Sequence, residues 1–102
     1  KNQPPRHEDE VLGLSFYETG IEQKKWRSLT IPRTFIGRSV IENTSIIDCD
    51  LSELVMCRND FISVDFSESN FTRADLRCSN FMSVDFSNCI LRQADVRGRG
   101  LE

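Results

Sequence analysis

Residues 60–76 read Asp60-Phe61-Ile62-Ser63-Val64-Asp65-Phe66-Ser67-Glu68-Ser69-Asn70-Phe71-Thr72-Arg73-Ala74-Asp75-Leu76, and Phe61, Phe66, Phe71 and Leu76 stand five residues apart. Extended toward the N-terminus, the same step passes through Met56, Leu51, Ile46, Ile41, Ile36, Ile31, Trp26, Ile21 and Phe16; toward the C-terminus it passes through Phe81, Phe86, Leu91 and Val96. All seventeen positions are large and apolar in a chain that is 38% apolar overall, a run with a chance probability of roughly 10⁻⁷. A helical face repeats every 3.6 residues and a strand face every two, so neither produces a period of five. A short fixed period instead predicts a stack of repeats, each packed only on its neighbours.

A second column lies two residues before the first. From Thr34 it reads Thr34, Ser39, Thr44, Cys49, Leu54, Asn59, Val64, Ser69, Ala74, Ser79, Val84, Cys89 and Ala94, and eleven of these thirteen residues are small. Asp50, Asp60, Asp65, Asn70, Asp75, Asn80, Asp85 and Asp95 fill eight of the ten slots between the two columns from 50 to 95. This pattern of a small residue, Asp or Asn, Leu or Phe, and two variable positions resembles the pentapeptide-repeat family. The match is best from Cys49 to Val96 and looser back to Phe16. The resemblance implies an all-β fold, a right-handed quadrilateral β-helix in which four pentapeptides make one coil, with about four coils here. Lys24, Leu54 and Asn59 depart from the small column, and Gly20, Lys25, Thr30 and Phe35 stand where Asp or Asn is expected. The expected organisation is a flexible arm over 1–13, a degenerate first coil or N-terminal cap over 14–33, and a regular β-helix over 34–98. A C-terminal tail over 99–102 follows, with Leu101-Glu102 expected to be a cloning scar.

With twenty residues per coil, residues twenty apart stack. The expected interior of the regular part is Ile46, Leu51, Met56, Phe61, Phe66, Phe71, Leu76, Phe81, Phe86, Leu91 and Val96, a core one side chain wide that 38% apolar content can supply. Cys49 and Cys89 fall two coils apart on one inward ladder with Ser69 between them, about 10 Å from each other, and are expected to be reduced fillers. Cys57 and Cys78 point outward in successive coils at roughly 6 Å, a separation that a disulfide tolerates. Two buried free thiols favour a reducing compartment, so the expected location is cytoplasmic.

Composition narrows the function. Thirteen Lys and Arg against sixteen Asp and Glu give a net charge of -3, which disfavours direct nucleic-acid binding through phosphate neutralisation. No run of about 18 apolar residues is present to cross a membrane as a helix. The one histidine, His7, lies near a terminus, and the repeats contain no base beside a nucleophile. The expectation is therefore no enzyme, no catalytic residue, no cofactor, no metal and no small-molecule substrate.

Function then rests on outward side chains. One side carries Arg38, Arg58, Arg77 and Arg97, and another carries Asp48, Asp65, Glu68 and Asp85. Ile62 and Met82 are outward and stacked. These ten are the candidate partner-binding residues of a non-catalytic protein–protein interaction module whose partner is another protein. One alternative is an immunity or antitoxin-like protein that neutralises a toxin by binding it. Another, implied by the family, is a DNA-mimicking binder of DNA gyrase; a charge of -4 over residues 34–97 is modest for that role. A homodimer through an exposed end of the stack is also expected, because unpaired strand edges invite pairing.

Overall fold

The structure is a computed structural model that describes residues 13–97. The expected arm, apart from Gly13, and the expected tail with Leu101-Glu102 lie outside the described residues. All regular elements among those described are short strands: β1 (Ser15–Tyr17), β2 (Gly20–Glu22), β3 (Lys25–Arg27), β4 (Phe35–Gly37), β5 (Val40–Ile47), β6 (Val55–Cys57), β7 (Asp60–Asp65) and β8 (Asn80–Met82). Every pairing is parallel and joins residues twenty apart. Phe16 pairs with Ile36 and Ile36 with Met56, while Ile21, Ile41, Phe61 and Phe81 form a ladder across four strands. Isolated bridges carry the same offset through Thr30, Asp50, Asn70 and Ile90, and through Val55, Asp75 and Asp95. The chain therefore winds as a four-sided parallel β-solenoid. Strands β1 to β8 occupy a little over three turns, against the expected four, and single bridges continue the stack beyond them. Residues 15–33 already adopt the twenty-residue register, through β1, β2, β3 and the Thr30–Asp50 bridge.

Each side turns into the next through one residue in the left-handed region. Sixteen non-glycine residues, at every fifth position from Glu18 to Gln93, have φ between 49° and 64°. That conformation costs most L-residues about 1 kcal/mol or more. Where a coil follows, the corner N–H is aimed at it, as when Glu53 donates to Ser52's counterpart, the Thr72 carbonyl, at 2.8 Å.

Local sequence decides whether a side is a strand or a turn. In Asp50-Leu51-Ser52, an Asp50 carboxylate oxygen accepts hydrogen bonds from the Ser52 N–H and hydroxyl, and the Leu54 N–H then closes on the Leu51 carbonyl at 3.2 Å. A positive φ at Glu53 is what the third position of a type II turn requires. Asn70-Phe71-Thr72 and Asp85-Phe86-Ser87 repeat the device. Where Val40, Ser45 or Val55 takes the Asp slot the side stays a strand. Asp60 and Asn80 also sit in strands: Ile62 and Met82 follow where a hydroxyl would, and the Asn80 amide donates to Asp60 instead.

The small column serves the corners. The Ser39 and Thr44 hydroxyls donate to the carbonyls of Gly37 and Glu42 and accept from the Thr19 and Lys24 N–H groups of the preceding coil. Asn59, fully buried, accepts from the Ser39 N–H and donates to the Ile36 carbonyl, so its departure from the pattern leaves no polar atom unpaired. Inside, Phe61 stacks on Phe81 at 5.2 Å and Phe66 on Phe86 at 5.5 Å, while Phe61 meets Phe66 edge to face.

Ile46, Leu51, Met56, Phe61, Phe66, Phe71 and Leu76 are buried as expected. Four assignments need correction. Phe81 and Phe86 are half-buried, and Leu91 and Val96 are 42% and 39% exposed. They occupy the inward column, but among the described residues no coil stacks on them, and a solenoid core is covered only by its neighbours. Truncation should expose this gradient: Phe66→Ala is expected to cost about 3–5 kcal/mol in urea unfolding, whereas Leu91→Ala costs less than about 1.5 kcal/mol.

Candidate functional site

The outward surface is a set of vertical columns in which every residue lies beside those twenty before and after it. On the side built by β1, β4 and β6, Arg38 and Arg58 occupy successive left-handed corners and are exposed. Their main-chain N–H groups donate to the carbonyls of Cys57 and Cys78. Neither guanidinium has a carboxylate within ion-pair distance among the described residues. Arg77 and Arg97 lie one position earlier in their repeats and differ in state. Arg77 makes two hydrogen bonds of 2.9 Å to Asp75 and reaches Asp95 at 3.5 Å, and Arg97 meets Asp95 at 2.7 Å. The expected basic side thus consists of two unpaired arginines followed by an alternating Asp75–Arg77–Asp95–Arg97 ladder.

The acidic side divides in the same way. Asp65 and Asp85 form a parallel bridge, and each carboxylate accepts its own turn N–H, from Ser67 and Ser87. Asp48 and Glu68 stand at exposed left-handed corners one above the other, and Asp48 accepts from the Ser28 hydroxyl at 2.8 Å. Ile62 and Met82 are register partners on the sheet of β2, β5, β7 and β8; Ile62 is half-buried and Met82 is 63% exposed.

The columns hold features that the sequence reading missed. Glu53 bridges Arg33 at 3.6 Å and Arg73 at 3.2 Å, an ion ladder visible as alternating charge at a spacing of twenty. Glu22 and Glu42 are direct register partners. Tyr17, Phe35 and Val55 make an outward apolar strip beside Gly37, where a Cβ would come within 2.5 Å of the Phe35 ring. That close approach, rather than any backbone need, is what glycine serves here.

Charge pairing sets the acid–base behaviour. The Arg97 guanidinium, hydrogen-bonded to Asp95, holds that carboxyl down to about 2. Arg77 lowers Asp75 likewise, and the Ser87 hydroxyl and N–H lower Asp85. Burial pushes the Cys49 and Cys89 thiols up, which keeps them protonated and poorly nucleophilic.

Residues 42–77 match the family model described as pentapeptide repeats, in eight copies. Over that span the chain carries pentapeptide repeats. Among solved structures, it is similar to the crystal structure of a pentapeptide repeat protein from the cyanobacterium Cyanothece 51142, with 10% identity, 83% of this chain and 85% of that chain covered, and a TM-score of 0.46. No curated protein matches it. Such repeats are structural, and the like-charged outward columns that they display here are Arg38/Arg58, Asp48/Glu68 and Glu22/Glu42.

Two outcomes follow from these contacts. Asp75, Asp85 and Asp95 have folded-state values below the unfolded value of about 3.9, so their stabilisation is complete above that pH and is lost as the pH falls from there toward 2. In urea titrations, an Asp75→Asn/Asp95→Asn variant should therefore lose less stability than the parent between about pH 5 and pH 2, with the difference shrinking in high salt. Separately, Gly37→Ala should displace the Phe35 ring and lower the melting midpoint, and combining it with Phe35→Ala should restore most of the loss.

Proposed function

We propose that the chain is a non-catalytic protein–protein interaction module that binds through charged corner columns. The observation that carries this is the stacking of like charges. Arg38 lies beside Arg58, and Asp48 beside Glu68, with adjacent backbones at about 4.8 Å. Like charges directly opposite one another on neighbouring strands are destabilising. The Arg33–Glu53–Arg73 and Asp75–Arg77–Asp95–Arg97 ladders show the alternative that this architecture allows. Columns that forgo that alternative are the ones that a partner of opposite charge would neutralise. The same interleaving of arginine among the carboxylates weighs against a continuous phosphate-like surface, so a DNA-mimicking role at gyrase and an immunity role stand behind the general binding reading.

The reading extends to self-association. Leu76, Phe86, Leu91 and Val96 line a largely apolar hollow at the end of the described stack, a surface suited to a second copy.

The test is affinity capture with the intact chain, its Asp48→Lys/Glu68→Lys variant and its Arg38→Glu/Arg58→Glu variant, all with unchanged melting. A specific protein retained by the parent and lost by at least tenfold from one variant is the expected outcome. Identical capture by all three refutes corner-column binding. Inhibition of gyrase supercoiling, or rescue of cells from a cognate toxin, by the parent and not the variants would assign the narrower roles.

A further inference from the structure

Cys57 and Cys78 stand in successive coils on the side built by β1, β4 and β6, and both thiols are free and exposed. Cys57 ends β6 and faces outward. Cys78 is the left-handed corner residue of the next coil. The hydrogen bonds at this junction differ from those elsewhere. From Glu18 to Arg73, corner N–H groups reach the carbonyl nineteen residues on, but that of Arg58 reaches twenty, to the Cys78 carbonyl at 2.8 Å. This places Cys78 directly against Arg58 and one residue from Cys57. With backbones about 4.8 Å apart and one residue of offset along the chain, the two Cα atoms are roughly 6 Å from each other, inside the 4.4–6.8 Å span of disulfides. Cys49 and Cys89 provide the internal contrast, since Ser69 separates them on their ladder and neither is exposed.

We propose that Cys57 and Cys78 are a modification site, a reversible disulfide clasp formed with a low-molecular-weight disulfide such as glutathione disulfide. One cysteine thiolate attacks a glutathione sulfur, forms a mixed disulfide and releases one glutathione thiolate. The second cysteine thiolate attacks the protein sulfur of that mixed disulfide, which forms the Cys57–Cys78 bond and releases the second glutathione thiolate. The two cysteine protons pass to the released thiolates, and the two electrons from the cysteine pair leave with the reduced glutathione. The clasp would act where the form of this side changes. There the strand form of β6 gives way to the turn at Asp75-Leu76-Arg77, and the coils are joined by the Val55–Asp75 bridge and by the Arg58 N–H bond to the Cys78 carbonyl. The coil so fastened carries the half-covered Phe81 and Phe86. This inference does not depend on the binding role above.

The intact native chain is equilibrated with glutathione disulfide, capped with an alkylating reagent and cut before aspartate. Residues 50–59 then carry Cys57, 75–84 carry Cys78 and 85–94 carry Cys89, each in a separate peptide. The expected product is a linked 50–59/75–84 pair from monomeric protein, reversed by reduced glutathione. It should be accompanied by a rise in melting midpoint of roughly 5–10 °C that Cys57→Ser and Cys78→Ser each abolish. Separate glutathione adducts on the two peptides, linkage that appears only in denaturant, or bonds only between molecules would overturn the proposal.

Discussion

A corner every five residues is the constraint from which the structure follows. To turn there, the chain holds a residue at positive φ, and sixteen consecutive corners do so without a single glycine among them. The strained corners are bearable because, wherever a coil lies above, it accepts the redirected N–H, and the stacking is bearable because the core behind each corner is one side chain deep. Neither half stands without the other. A single coil could not satisfy its own backbone, so stability belongs to pairs of coils rather than to repeats.

The same constraint explains which parts of the fold are legible in sequence. Phe61, Phe66, Phe71 and Leu76 announce the inward column because a five-residue step admits one inward centre per side, and burial follows from the step alone. Exposure of Leu91 and Val96 is not legible in this way, since an inward position is covered only when another coil lies over it. The distinction between strand and turn is legible only in retrospect: Asp50 followed by Ser52 folds into a turn, while Asp60 followed by Ile62 stays in a strand. The difference lies in whether the side chain two residues downstream can donate to the carboxylate, as those of Ser52 and Arg77 do and that of Ile62 cannot, which no column of sizes records.

Candidate site residues were legible by side but not by state. Counting Arg38, Arg58, Arg77 and Arg97 together treats four cations as equivalent, yet two of them are held by Asp75 and Asp95. The aspartates also cap their turns: the Asp75 carboxylate accepts both the Arg77 N–H and the Arg77 guanidinium. One carboxylate can meet both demands because the turn presents its own downstream side chain to it. A charge in this fold therefore has to be read against two neighbours, the residue two positions away in sequence and the residue twenty positions away.

That double neighbourhood turns surface composition into an argument about selection. Vertical neighbours are fixed by register, so a column of alternating charge can be obtained by substitution at exposed positions with little effect on the core. Arg33, Glu53 and Arg73 have such a column, and Arg38 with Arg58 and Glu22 with Glu42 do not. If outward residues answered only to solubility, mixed signs would serve equally well and fold better. Arg38/Arg58 and Glu22/Glu42 lie on the sides that carry exposed Tyr17, Val55 and Met82, whereas Asp48/Glu68 stand at a corner of another side. Stability is thus given up at the like-charged columns and kept by the ladders, and one side holds both, Arg38 and Arg58 below and the Asp75–Arg77–Asp95–Arg97 ladder above them, so the choice is made column by column and not by the fold.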